Sequence, residues 1–154
     1  MRVTESEQIQ ASPEVLYDLV ADVSQMGQWS PEATGAIGAS RDLQVGDTFV
    51  GTNRRGLIRW YTQCTVLRAD RGRIFEFDVD FGFQGISRWT YVFLARDGGT
   101  VVSETWVDRR DGVLGPLVRL GGQLVIPGNR AIHNRKNARI TLSRLKRVAE
   151  AGSP

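Results

Sequence analysis

The sequence has one cysteine, Cys64, and one histidine, His133. An internal disulfide is excluded, and so is a Cys/His zinc cluster. Lysine is scarce too: Lys136 and Lys146 stand against 18 arginines, a bias that suggests a GC-rich genome more than a binding function. No run approaches the ~20 apolar residues that a membrane span needs. The opening residues 1–7 hold no apolar signal core, so a cytoplasmic location is expected. Gly56 and the glycine pairs at 98–99 and 121–122 lack the spacing and the following Lys-Ser/Thr of a phosphate loop. No metal or cofactor is expected.

What is present suits one soluble domain. The chain has 154 residues, of which 41% are hydrophobic and 24% charged. A single domain is expected over residues 1–150, with 151–154 as a disordered tail. The net charge of +3 hides an asymmetry: residues 1–111 carry −4 and residues 112–154 carry +7. A basic tail can mean nucleic acid or an anionic membrane. It can equally mean a basic helix lying on an acidic body, with Glu76, Asp78 and Asp80 among the acids of the sheet.

Residues 2–10 alternate as a mostly polar strand. Ser12-Pro13-Glu14 is a helix start, with a capping hydroxyl, a proline at the first helical position and an acid at the positive end of the dipole. Val15, Leu16, Leu19 and Val20 follow at helical spacing. Asp22 suits the cap of a second short helix over Val23–Trp29, which Ser30-Pro31 ends. From about residue 34 to 109 the pattern is strands and turns. Asp47–Arg54, Ile58–Ala69, Arg73–Phe81, Arg88–Arg96 and Thr100–Arg109 read as strands, and Asp97-Gly98-Gly99 as a tight hairpin turn. In the third of these Phe75, Phe77, Val79 and Phe81 share a face opposite Glu76, Asp78 and Asp80.

Residues 113–127 are apolar, but Gly115-Pro116, Gly121-Gly122 and Pro127 argue against a long regular helix there. They suggest either a gate over a cavity or a contact surface. Ala131, Ala138, Leu142, Leu145 and Ala149 then mark a long helix. An antiparallel sheet needs one face covered, and this helix is the element able to cover it.

The stretches Ile9–Trp29, Ser30-Pro31-Glu32 and Val45–Gly56 carry a family likeness, as do Trp60, Trp89-Thr90-Tyr91, Gly98–Glu104 and Thr141–Lys146. Through them the chain resembles the START-related SRPBCC superfamily of polyketide cyclases, dehydrases and lipid-transfer proteins, and looks most like its small actinobacterial members. The resemblance implies an α+β helix-grip fold: a curved antiparallel sheet of about seven strands around a long C-terminal helix, with two short helices after strand 1. It also implies an apolar cavity between sheet and helix that holds a lipid, isoprenoid or polyketide.

Strand alternation supplies candidates. Phe49, Gly51 and Asn53 share a face. Gly51 there either bends the strand or makes room for a ligand. Glu104 lies between Val102 and Trp106 on another. A carboxylate there must be paired, protonated or beside water, since burying it alone costs several kcal/mol. Arg54 or Arg55 could pair with it if the side chains reach, and an asparagine is the other candidate partner. A raised pKa would suit Glu104 to proton transfer in a cyclisation or dehydration; a structural bond at the sheet mouth is the plainer role. Phe49, Trp60, Phe75, Phe77, Trp89, Tyr91 and Trp106 are candidate cavity walls, with Asn53, Arg54 and Glu104 as polar anchors. Cys64 sits mid-strand on an apolar face and reads as a small hydrophobe, which makes a Cys64–His133 nucleophile a poor candidate.

Three functions are therefore in play. The first is binding of a small hydrophobic ligand by a monomer or homodimer. The second is a cyclase, aromatase or dehydratase using Glu104. The third is peripheral contact with an anionic membrane, or with nucleic acid, through the basic helix. Nucleic acid is not expected, because no aromatic residue follows Trp106 to stack on bases.

Overall fold

The computed structural model describes residues 1–111, 115–125 and 128–152. Strand β1 (Arg2–Ile9) leads into helix α1 (Pro13–Ala21) and a 3₁₀ turn over Val23–Gln28. Six strands follow: β2 (Ala33–Ile37), β3 (Thr48–Arg55), β4 (Ile58–Asp70), β5 (Ile74–Phe81), β6 (Gln84–Arg96) and β7 (Gly99–Asp108). Helices α2 (Gly115–Val125) and α3 (Arg130–Ala151) complete the described elements. The strands form one antiparallel sheet in the order β1-β7-β6-β5-β4-β3-β2, so the fold is the α+β helix-grip.

Local chemistry accounts for these elements. Val15 N–H donates to Ser12 Oγ at 3.3 Å, and Pro13 occupies the first turn of α1. The predicted second helix is a 3₁₀ turn, and Asp22 makes no side-chain cap to it. Asp97 and Gly98 both have positive φ, 50° and 76°, as a two-residue hairpin loop requires. The register shifts by one residue between Val66 and Arg68 and again between Val79 and Asp80. Such bulges bend strands and curve the sheet.

The concave face carries Phe75, Phe77 and Val79 of the inward set that alternation predicted, while Phe81 at the end of β5 is exposed. Tyr17 of α1 meets Phe75 and Phe93 edge-on, with ring centroids 6.0 and 5.8 Å apart. That end of the sheet is solid core. Helix α3 lies over the rest and buries Asn134, Ala138, Thr141, Leu142, Leu145 and Ala149. Two of these are polar, although the apolar pattern named only alanines and leucines. Ala131, included in that pattern, is half-buried.

The charge asymmetry resolves against β1. Arg135 and Arg139 reach Glu5 at 3.3 and 3.0 Å, and Lys146 reaches Glu7 at 3.4 Å. Glu76, Asp78 and Asp80 are not the acids that meet the helix. They lie on the convex face, where Thr90 donates to Glu76, Arg88 pairs with Asp78, and Arg109 bridges Asp78 and Asp80.

Residues 115–125 are helical, against the expectation from their glycines. Pro116 falls in the first turn, where its missing N–H costs nothing. Leu117, Leu120 and Leu124 stand exposed along this helix. Residues 112–114 and 126–127, also part of the expected gate or contact surface, lie outside the described residues, as do 153–154 of the expected tail. Ala151 closes α3 and Gly152 follows it in a turn. Among the described residues no helix is long and apolar enough to cross a membrane.

Candidate functional site

Between the sheet and α3 lies a cavity of ≈120 Å³. Strands β3 to β6 supply its apolar walls through Phe49, Trp60, Phe77 and Trp89. Asn53 and Tyr91 also line it, and so does Glu104 on β7. The 3₁₀ turn and the start of β2 close one side with Met26, Glu32 and Ala33. Helix α3 contributes Arg130, Asn134, Asn137 and Thr141.

Three expected wall or anchor residues stand elsewhere. Arg54 is exposed and donates to the Gly56 carbonyl at 2.8 Å, because alternation from Phe49, Gly51 and Asn53 turns it outward. Phe75 is fully buried in the packed end beneath Tyr17. Trp106 is buried beside Val3 and Trp89 in the sheet register but is not part of the lining. Gly51 does line the cavity, yet its missing side chain leaves room for protein. A Cβ there would lie 2.9 Å from Thr62 Oγ1 and 3.4 Å from Cys64 Sγ.

Glu104 is 2% exposed and sits directly across from Tyr91 in the β6–β7 register. The Tyr91 hydroxyl donates to Glu104 Oε1 at 2.9 Å. This replaces the arginine or asparagine partner expected from the sequence. The other oxygen, Oε2, is buried without a partner. Burial pushes the Glu104 carboxyl up to about 8, and the Tyr91 hydrogen bond only partly opposes it. Near neutrality the group is mainly a neutral acid whose one proton has no protein acceptor. Burial likewise raises the Tyr91 phenol well above its ordinary range, with the Glu104 charge adding to the effect.

A second orphan faces the first from the helix. Asn134 is 2% exposed, and its Nδ2 has no partner. The sequence signal for it was spacing: residues 134, 138, 142, 145 and 149 fall on one helical stripe, and the first of them is polar. At the mouth His133 Nε2 meets Glu32 Oε1 and lies 3.0 Å from the Asn137 amide. His133 is thus engaged by Glu32. Burial raises the Cys64 thiol to about 11, and its neighbour is Thr62 at 3.9 Å. A thiol held protonated is no nucleophile. Among the described residues no group of three His, Cys, Asp or Glu side chains could hold a metal ion.

Several solved structures share this architecture. The polyketide-cyclase-like protein Cgl2372 of Corynebacterium glutamicum is 26% identical, with a TM-score of 0.62 over 97% of this chain and 91% of its own. The AHSA1-like protein of Aeromonas hydrophila is 20% identical, with a TM-score of 0.62 over 98% and 93%. TTHA0849 of Thermus thermophilus is 20% identical, with a TM-score of 0.64 over the whole of both chains. At 20% the likeness is one of fold. No curated protein matches the chain. The family model for polyketide cyclase / dehydrase and lipid transport matches residues 1–150. The chain belongs to that family, within the SRPBCC superfamily that its motifs resemble.

Proposed function

We propose that this domain binds a small, mainly apolar molecule carrying at least one oxygen acceptor. One observation carries the reading: Glu104 Oε2 and Asn134 Nδ2 are buried without partners on opposite walls of one cavity. Leaving such groups unsatisfied costs about 1–3 kcal/mol each, so a protein that keeps both gains by offering them to something else. Aromatic walls with a few converging polar groups are the usual make-up of a small-molecule site. The volume limits the guest. A cavity of ≈120 Å³ compares with the roughly 150 Å³ that accommodates benzene. A ring of benzene's size already fills it, so a substituent on the ring, a lipid tail or a multi-ring polyketide has to extend through the mouth.

Acetophenone, one ring and one carbonyl, is a direct probe. Titrated to about 1 mM, it should shift the Trp60 and Trp89 indole N–H signals and the Asn134 side-chain amide in ¹H–¹⁵N spectra. Shifts confined to surface residues, or none, would refute the reading. Native mass spectrometry of freshly purified protein adds an independent measurement, the mass of any retained guest.

A catalytic reading has one observation in its favour. Glu104 holds a proton at neutral pH on an oxygen that faces no protein acceptor. A general acid in a cyclisation or dehydration needs such a group. Turnover of a β-hydroxyketone to its enone that is lost in Glu104→Gln, with binding intact, would establish it.

A further inference from the structure

Besides Glu104, the cavity is lined by two charged side chains, Arg130 and Glu32. Arg130 opens α3 and lines the cavity where it meets a groove bounded by Asp108, Arg110 and Arg119. It is half-buried, and among the described residues its guanidinium has no hydrogen-bond or ion-pair partner. The nearby acids are already matched. Glu32 meets His133, and Asp108 holds Arg110 through bonds of 2.7 and 2.8 Å. Burial lowers the Arg130 pKa, and the Glu32 charge offsets this in part.

Four residues on, and so on the same helix face, Asn134 presents its unpartnered Nδ2 to the same cavity. Glu104 as a neutral acid adds a third donor from the sheet. An arginine with a neighbouring amide donor suits a carboxylate, which takes a fork of N–H groups on its two oxygens. We propose that the guest is a compact apolar carboxylic acid, its carboxylate held by Arg130 and Asn134 and its apolar body against Trp60 and Trp89. This inference rests on the ligand-binding reading above and adds the ligand's charge to it.

The test compares phenylacetate and octanoate with phenylacetamide and octanamide, using tryptophan fluorescence and calorimetry on the full chain. At least one acid should bind ten times more tightly than its amide, a preference that needs no variant to observe. Arg130→Gln should abolish the preference, weakening the acid tenfold or more while leaving the amide within twofold. Arg130→Lys, which keeps the charge but not the fork, should restore part of it. Asn134→Leu should weaken the acid without changing the total charge. Amides that bind as well as the acids, or an Arg130→Gln protein that keeps the preference, would overturn the carboxylate assignment and leave the binding site standing. If neither acids nor amides bind, both readings fall.

Discussion

Replacing Glu104 by glutamine isolates the buried acid. Glutamine keeps an oxygen for the Tyr91 hydroxyl, sets an amide where Oε2 lies, and is neutral at every pH. In the native protein burial raises the Glu104 carboxyl from 4.5 to about 8. Below pH 4.5 the group is protonated in folded and unfolded chains alike and has no effect on stability. Above 4.5 the unfolded chain releases the proton while the folded chain keeps it, so stability falls as pH rises. The loss approaches 1.4 kcal/mol per pH unit and levels off above about pH 8, where the folded protein ionises too. From pH 5 to pH 7.5 it sums to about 3 kcal/mol. In a chain of this length that corresponds to a melting temperature lower by roughly 6–12 °C. Urea unfolding of both proteins across this range is the assay. Every other titrating group is common to both, so the difference between their stabilities reports Glu104 alone. Glu104→Gln should gain about 3 kcal/mol on the parent between pH 5 and pH 7.5. A difference that does not change with pH would refute the argument, because it would mean that Glu104 titrates alike in both states.

Tyr91→Phe leaves Glu104 Oε1 without its donor and should cost about 1–3 kcal/mol in the same urea series. It should also push the carboxyl higher still, since the Tyr91 bond is what holds it down. Cys64, buried with a thiol near 11, should resist Ellman's reagent at pH 8 in the folded protein and react fully in urea; reaction within seconds when folded would contradict its placement. Leu142→Ala opens a void beneath α3 and should cost about 2–5 kcal/mol, measured by thermal melting; a loss under 1 kcal/mol would mean that α3 does not pack as described.

The strands were the most legible part of the sequence because their period is 2. Once Phe75, Phe77 and Val79 are placed inward, Glu76 and Asp78 must face out, and the convex ion pairs follow. The same rule turns Arg54 outward, and proposing it as an anchor went against the strand's own alternation. Helix α3 was legible as an element but not as a wall. Asn134 and Thr141 break an apolar stripe, and only the cavity opposite explains why polar residues occupy core positions there. The partner of Glu104 was within reach of the sequence but was not followed through. A two-residue turn at Asp97-Gly98 pairs Arg96 with Gly99, and counting back along both strands then sets Tyr91 opposite Glu104. The size of the cavity depends on side-chain packing and leaves no trace in the sequence.

The pairing of β1 with β7, and of α3 with β1, has a consequence for the order of events in synthesis. Residues 2–9 leave the ribosome well before residues 100–107 and have no strand to pair with until those have followed. Their ion pairs wait longer still, for Arg135, Arg139 and Lys146. Until then the concave face and its aromatic residues are open to solvent or to a chaperone, since contacts this distant along the chain form late and slowly. The face that α3 covers is therefore exposed until residues 130–151 have been made.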